Sequence, residues 1–222
     1  MFFNKVRKWL SDKTSFNGKL TKEIEIYDGI RTIDYINGID NNNYKPVIGI
    51  VEIYDDKKNL IERTNNLVVY NGREFVASKT FNIGNYTSWN ITHFGVGKGG
   101  TSDNDPTTKI GPEDNDTGLY NPLTLNQSNT SYLANGTLKP IDSTNITLEQ
   151  DPNTSYHYTR IKIDLTIDPT QEPDLLTPTK INEAALFYTD SSGNYRIFAH
   201  VTFTDKYIEQ NEKLYITWYI LF

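Results

Sequence analysis

Residues 181–204, INEAALFYTDSSGNYRIFAHVTFT, decide the fold class. Two runs rich in β-branched and aromatic residues flank Asp190-Ser-Ser-Gly193, a turn composition, so the stretch reads as a β-hairpin. Outward from it, residues 156–167 (YHYTRIKIDLTI) put Ile161, Ile163, Leu165 and Ile167 on one face and Lys162, Asp164 and Thr166 on the other. That period of two belongs to a half-buried strand. Residues 214–222 repeat the pattern, with Leu214, Ile216, Trp218, Ile220 and Phe222 on one face. Residues 91–97 (ITHFGVG) alternate and stop in a glycine cluster, and residues 47–54 (VIGIVEIY) form a further strand, with 55–59 as the turn into 60–63. Residues 65–70 (NNLVVY) lead through Asn71-Gly72 into 73–79 (REFVASK), good helix formers with Phe75 and Val76 on one side. This part reads as strand, turn, short helix.

The chain begins differently. Phe3, Val6 and Leu10 recur at helical spacing with Phe2 and Trp9 beside them, so residues 2–11 read as a short amphipathic helix. A helix that short is not stable alone in water, and its apolar stripe needs a surface to cover it. Lys5, Arg7 and Lys8 would also suit a membrane surface, but one turn set with three cations anchors weakly, so the expected partner is protein. The same residues lack the unbroken apolar run of a secretion signal. From Lys22, Ile24 and Ile26 alternate with Glu23, Glu25 and Tyr27 up to Asp28-Gly29, and Ile33, Tyr35 and Ile36 suggest another strand before the polar run 37–44. From 101 to 155 the chain is rich in Asn, Asp, Thr, Pro and Gly, with apolar anchors only at 119–125 and 132–138. That stretch reads as a long surface excursion holding one irregular hairpin.

The expected architecture is therefore all-β: an antiparallel β-sandwich of the jelly-roll or immunoglobulin-like kind, with a short N-terminal amphipathic helix and one small internal helix. Its parts are a helical arm at 1–20, a β-hairpin region at 21–64 packing on or extending the main domain, and a main sandwich at 65–222 carrying the 101–155 insertion.

Composition narrows the chemistry. With no cysteine there are no disulfides, no thiolate nucleophile and no zinc–thiolate site, so packing and strand pairing must carry stability. A net charge of −6 provides no basic field to displace counterions from a duplex, so duplex nucleic acid is not an expected partner.

Each candidate motif has a structural reading beside the functional one. Gly95-Val-Gly97-Lys-Gly-Gly100 matches the spacing of a dinucleotide-binding turn, but the TSDNDP that follows is a loop where a helix should start, so a tight strand-end turn is expected. Asp103, Asp105, Asp114 and Asp116 could supply oxygen to calcium, yet the terminal glutamate of the stricter loop pattern is missing and a solvated acidic loop is expected. His93, His157 and His200 each fall in a strand, with no nucleophile-elbow motif, and read as packing residues. Tyr86, Trp89, Tyr120 and Tyr132 lie in or beside polar loops, where they could stack on sugars, form an interface, or anchor the loops. No catalytic residue, metal ligand or cofactor site is assigned.

Five stretches together carry a resemblance: residues 65–78 (NNLVVYNGREFVAS), 91–101 (ITHFGVGKGGT), 181–187 (INEAALF), 197–203 (IFAHVTF) and 214–222 (LYITWYILF). Their order resembles a recurrent domain of tailed-bacteriophage virion proteins, in which an unpaired segment leads to a short helix, a Gly-rich turn, an EAALF-like strand, an arginine- or histidine-containing A-x-V/T-T-F strand and a terminal I-T-W-x-I strand. The resemblance spans about residues 65–222. Two departures stand out: His200 occupies a position where arginine is commoner, and the turn has an extra glycine. The resemblance implies a non-enzymatic head-accessory, neck, collar, tail or baseplate subunit. Such a subunit is assembled in the host cytoplasm and located in the virion, and its partners are copies of itself and other virion proteins. The expected contact residues are Phe2, Phe3, Val6, Trp9 and Leu10. The alternative is a glycan-binding or receptor-binding adhesin module.

Overall fold

A computed structural model of the chain describes residues 48–81, 90–150, 159–190 and 192–221. The expected N-terminal helix with Phe2, Phe3, Val6, Trp9 and Leu10, the strands expected at 22–36, and Tyr86, Trp89 and His157 lie outside the described residues.

At residues 163–167, and largely at 214–220, alternating sequence becomes alternating burial. The strands are β1 (Ile48–Tyr54), β2 (Leu60–Val68), β3 (Ile91–Gly97), β4 (Thr101–Ser102), β5 (Asp105–Lys109), β6 (Leu138–Pro140), β7 (Ile146–Gln150), β8 (Thr159–Ile167), β9 (Thr179–Thr189), β10 (Tyr195–Ile208) and β11 (Leu214–Leu221). One helix, α1 (Tyr70–Phe81), follows β2. Nine strands pair into one antiparallel sheet in the order β6-β3-β9-β10-β2-β1-β11-β8-β7, and β4 and β5 form a separate small hairpin. The all-β expectation holds.

The connection from β6 to β7 dictates the shape of the sheet. Among the described strands these are its two edges, and only residues 141–145 join them. Laid flat, nine strands would hold the edges roughly 38 Å apart at ~4.8 Å per strand. Six fully extended peptide steps reach only about 20 Å. The sheet must therefore curl until its edges approach. Lys139 on β6 accordingly reaches across to donate to the Thr166 carbonyl of β8 at 3.0 Å. The short link is itself ordered, with Ile141 N donating to Thr92 O and the Asp142 side chain accepting from Thr144 N in a single 3-10 turn.

Curling closes one apolar face around a main core. Val51 and Ile53 of β1, Val96 of β3, Ile163, Leu165 and Ile167 of β8, and Ile216, Trp218 and Ile220 of β11 belong to it, as the period-two reading of β8 and β11 required. A smaller cluster, with Leu67, Val69, Ala185, Phe187 and Ile197 buried at its centre, is covered by Leu119, Leu133 and Ala134 from the 110–137 region.

Several local expectations change. The excursion at 101–155 supplies both edges of the main sheet, because β6 pairs with β3 and β7 with β8 through backbone hydrogen bonds that need no apolar pattern. The pieces read at 60–63 and 65–70 merge into one strand, β2. Residue 64, the expected end of the hairpin region, lies inside it, and β1 and β2 occupy the middle of the sheet. Asn71-Gly72 sits within the first turn of α1 and makes no separate turn. The glycine is needed there for close approach: a Cβ on Gly72 would lie 2.0 Å from the Phe198 carbonyl oxygen of β10. That approach lets Phe75 reach Tyr188 and Phe198, with ring centroids 4.8 and 5.8 Å away.

Gly72→Ala sets two effects against each other. Alanine gains about 1 kcal/mol of helix propensity, but a backbone contact this close should cost about 3 kcal/mol, the upper end for overpacking, for a net loss of about 2 kcal/mol. The urea-denaturation midpoint should fall; an unchanged or raised midpoint would mean that α1 is free to shift off β10.

Candidate functional site

Adjacent strands carry three of the motifs onto one spot. Glycine-ended β3 pairs with β9 so that Gly97 lies opposite Glu183, and β9 pairs with β10 so that Ala185 lies opposite His200. Glu183 and His200 are then diagonal neighbours on one face, within side-chain reach. Both are fully buried, covered by residues 111–121.

Burying a carboxylate is costly unless donors surround it. Glu183 has four contacts: Gly99 N donates to Oε1 at 2.9 Å and Asn121 N at 2.8 Å, Tyr120 N donates to Oε2 at 2.9 Å, and His200 Nε2 lies 3.1 Å from Oε2. Burial alone pushes the carboxyl up, but the bonds from His200 and from the Asn121, Tyr120 and Gly99 amides outweigh it and hold the group below the usual carboxylate range. The other ring nitrogen of His200, Nδ1, lies 2.7 Å from Asp116 Oδ2. Ionised carboxylates only accept, so both contacts are hydrogen bonds only while each ring nitrogen carries a hydrogen. Tyr120 closes the assembly: its ring meets the His200 ring edge-on at 4.8 Å, and its single hydroxyl hydrogen is shared between Gly111 O at 3.1 Å and Asp116 Oδ2 at 3.2 Å. Burial, followed by the Asp116 charge and hydrogen bond, pushes that hydroxyl up to about 12, so it stays a donor.

A second buried group extends the site. Gly100 N donates to Asn182 Oδ1 at 2.7 Å, and Asn182 Nδ2 donates to Thr101 Oγ1 and Asp205 Oδ1. Lys180 stands 3.6 Å from Asp205 Oδ2. The glycine turn thus works as an anion-binding turn whose anion is the chain's own Glu183. A Cβ at Gly97 would lie 2.3 Å from Glu183 Oε1, so the turn must be bare for the carboxylate to enter. The turn's amides are spent inward, and the Glu183–His200 pair is closed to solvent. It joins β9 and β10 to the turn after β3 and to residues 111–121.

The remaining candidates disperse. Asp105 accepts from Thr107 and Thr108 within its own hairpin, while Asp116 faces His200. Among the described residues no group of three or more His, Asp or Glu is arranged to hold a metal ion. His93 is half-buried, with Nε2 3.1 Å from Ser131 O. Tyr132 anchors its loop by donating to the fully buried Glu172, which Lys139 also meets at 2.6 Å. Sequence reasoning missed Glu183, although a signal existed: Asn182 and Glu183 are consecutive polar residues inside an apolar strand and point to opposite faces, so at least one had to be buried with partners.

No protein-family model, curated protein or solved structure matches this chain.

Removing His200 leaves Glu183 one donor short in a dry site, so His200→Ala should cost about 3 kcal/mol or more. Because the folded Glu183 carboxyl is held below its unfolded value, its stabilisation is complete above the ordinary carboxylate range and is lost as pH falls through the folded value. Urea midpoints taken from ~pH 7 down to ~pH 3 should fall on the acid side, and less steeply in Glu183→Gln. Equal acid slopes would show that Glu183 is not the group responsible.

Proposed function

We propose that this chain is a structural subunit of a tailed-bacteriophage particle, serving in head decoration, neck or collar, or tail or baseplate, and acting through protein–protein assembly. One observation carries the reading: the motifs of the resemblance depend on one another physically. The Gly-rich turn donates to the glutamate of the EAALF strand, and the basic residue of the A-x-V-T-F strand pairs with that same glutamate. Here histidine takes the place where arginine is commoner, and it still presents a ring nitrogen to Glu183. The helix segment packs on the same β10 strand, and the terminal I-T-W strand is β11, whose Trp218 is fully buried in the main core.

On this reading the curled sheet functions as a β-sandwich of the jelly-roll or immunoglobulin-like kind. In support, Val96 and Ile163, from strands near opposite ends of the sheet, share one core. Assembly also needs free surfaces. Among the described strands β7 has a neighbour on one side only, and its Leu148 is 70% exposed. Unpaired strand edges accept further chains. The reading gives Phe2, Phe3, Val6, Trp9 and Leu10 the role of contact residues for neighbouring subunits, with copies of this chain and other virion proteins as partners. The protein acts without catalysis or cofactor and resides in the virion.

Particles banded on a density gradient from the producing cells should contain this chain at a fixed ratio to the major capsid protein by quantitative mass spectrometry. Imaging should find it in symmetric, repeated contacts. Its recovery only in particle-free fractions would overturn the proposal.

A further inference from the structure

The outer face of β1, β11 and β8 carries a feature that core packing does not require. Strand register sets Tyr54 opposite Tyr215, Thr217 opposite Asp164 and Tyr219 opposite Lys162. These six side chains line a depression of about 430 Å³, a volume within the range of small-ligand sites. Tyr215 and Tyr219 lie on one side of β11, four residues and so roughly 13 Å apart. The tyrosines therefore form a stripe suited to an extended ligand.

The chemistry of the stripe selects among ligands. Two of the rings already hold cations against their faces: Lys58 Nζ lies 3.0 Å from the Tyr215 centroid, and the Arg160 guanidinium carbon lies 4.5 Å from that of Tyr219. Both tyrosine side chains leave β11 on the side opposite its buried Ile216, Trp218 and Ile220, and the negative π surface of a tyrosine ring attracts positively polarised groups. The C–H faces of a pyranose ring have that polarity. Between the rings, Asp164 accepts from Thr217 at 2.8 Å and pairs with Lys162 at 2.8 Å, leaving carboxylate lone pairs and ammonium hydrogens for further bonds. Asp164 and Lys162 offset each other between the rings, so the middle of the lining suits a neutral molecule with many hydroxyls. Tyr54 adds a fixed ring, since its hydroxyl donates to Glu52 at 2.6 Å and is pushed up to about 12 by that bond. Lys58 is exposed on the turn between β1 and β2 and Arg160, paired with Glu149, is part-exposed, so moving Lys58 aside uncovers the Tyr215 face and a shift of Arg160 uncovers that of Tyr219.

We infer that this groove binds a neutral oligosaccharide, with Tyr215 and Tyr219 stacking on sugar rings and Asp164 and Lys162 bonding hydroxyls. The inference is independent of the virion reading, since a particle protein can lack a glycan site and a glycan-binding protein can stand outside any particle.

The test applies the full chain to an array of immobilised neutral hexose and N-acetylhexosamine oligosaccharides and then measures solution affinity for whichever glycans are retained. The expected result is binding that weakens about tenfold or more in Tyr215→Ala and in Tyr219→Ala. Tyr215→Phe, which keeps the ring, should retain it, and Lys58→Ala should match or exceed the parent. Melting temperatures of the variants separate lost binding from lost folding. No retention anywhere on the array, binding indifferent to both Ala variants, or capture of protein but no glycan by the groove would each overturn the inference.

Discussion

A carboxylate taken out of water must be surrounded by donors, and Glu183 sets that requirement at the centre of this protein. Its partners come from three places far apart in the chain: the glycine turn after β3, the segment ending at Tyr120 and Asn121, and His200 on β10. Removing any one would expose part of the desolvation cost of the rest. A long polar stretch with few apolar residues is thereby tied to the sheet without a core of its own. Asn182 and Asp205 repeat the device on the other side of the turn, and Glu172 does so where Tyr132 and Lys139 converge.

The polar stretch matters because of where it leads. It ends in β6, crosses in five residues to β7, and so fixes how far the nine-stranded sheet must curl. The curl in turn brings β3 and β8 over a common core and sets Trp218 at its interior. The outward face of β1, β11 and β8 is left to carry tyrosines, threonine and paired charges.

Strands with strict alternation were legible from the sequence alone. β8 and β11 follow from side chains that alternate between core and the outer face, the β9–β10 hairpin from two apolar runs, buried on both faces, around Asp190–Gly193, and α1 from its helix formers beside Phe75. Edge strands β6 and β7 were hidden, because LKP is too short to show a rhythm, the alternation in ITLEQ rests on two apolar residues, Ile146 and Leu148, and both strands are held by backbone bonds to neighbours chosen by tertiary structure. Gly72 was misread because a glycine required for close helix–strand contact looks, in sequence, like one required for a turn. The Glu183 site was half visible. Its polar pair Asn182-Glu183 announced a buried demand, but no local pattern reveals that the donors come from residues 99, 120, 121 and 200. The tyrosine groove was invisible for a similar reason: Tyr54 and Tyr215 are brought together only by the β1–β11 register.

The Glu183 carboxylate holds the glycine turn and the 111–121 segment against the sheet. Residue-resolved amide hydrogen exchange on the full chain tests it most directly, because the amides of Gly99, Tyr120 and Asn121 belong to loops and yet donate to a buried acceptor. They should exchange as slowly as the ladder amides of β9 and β10, in the range set by cooperative opening. Exchange at the rate of exposed loop amides would contradict the claim and reduce Glu183 to an isolated charge beside His200.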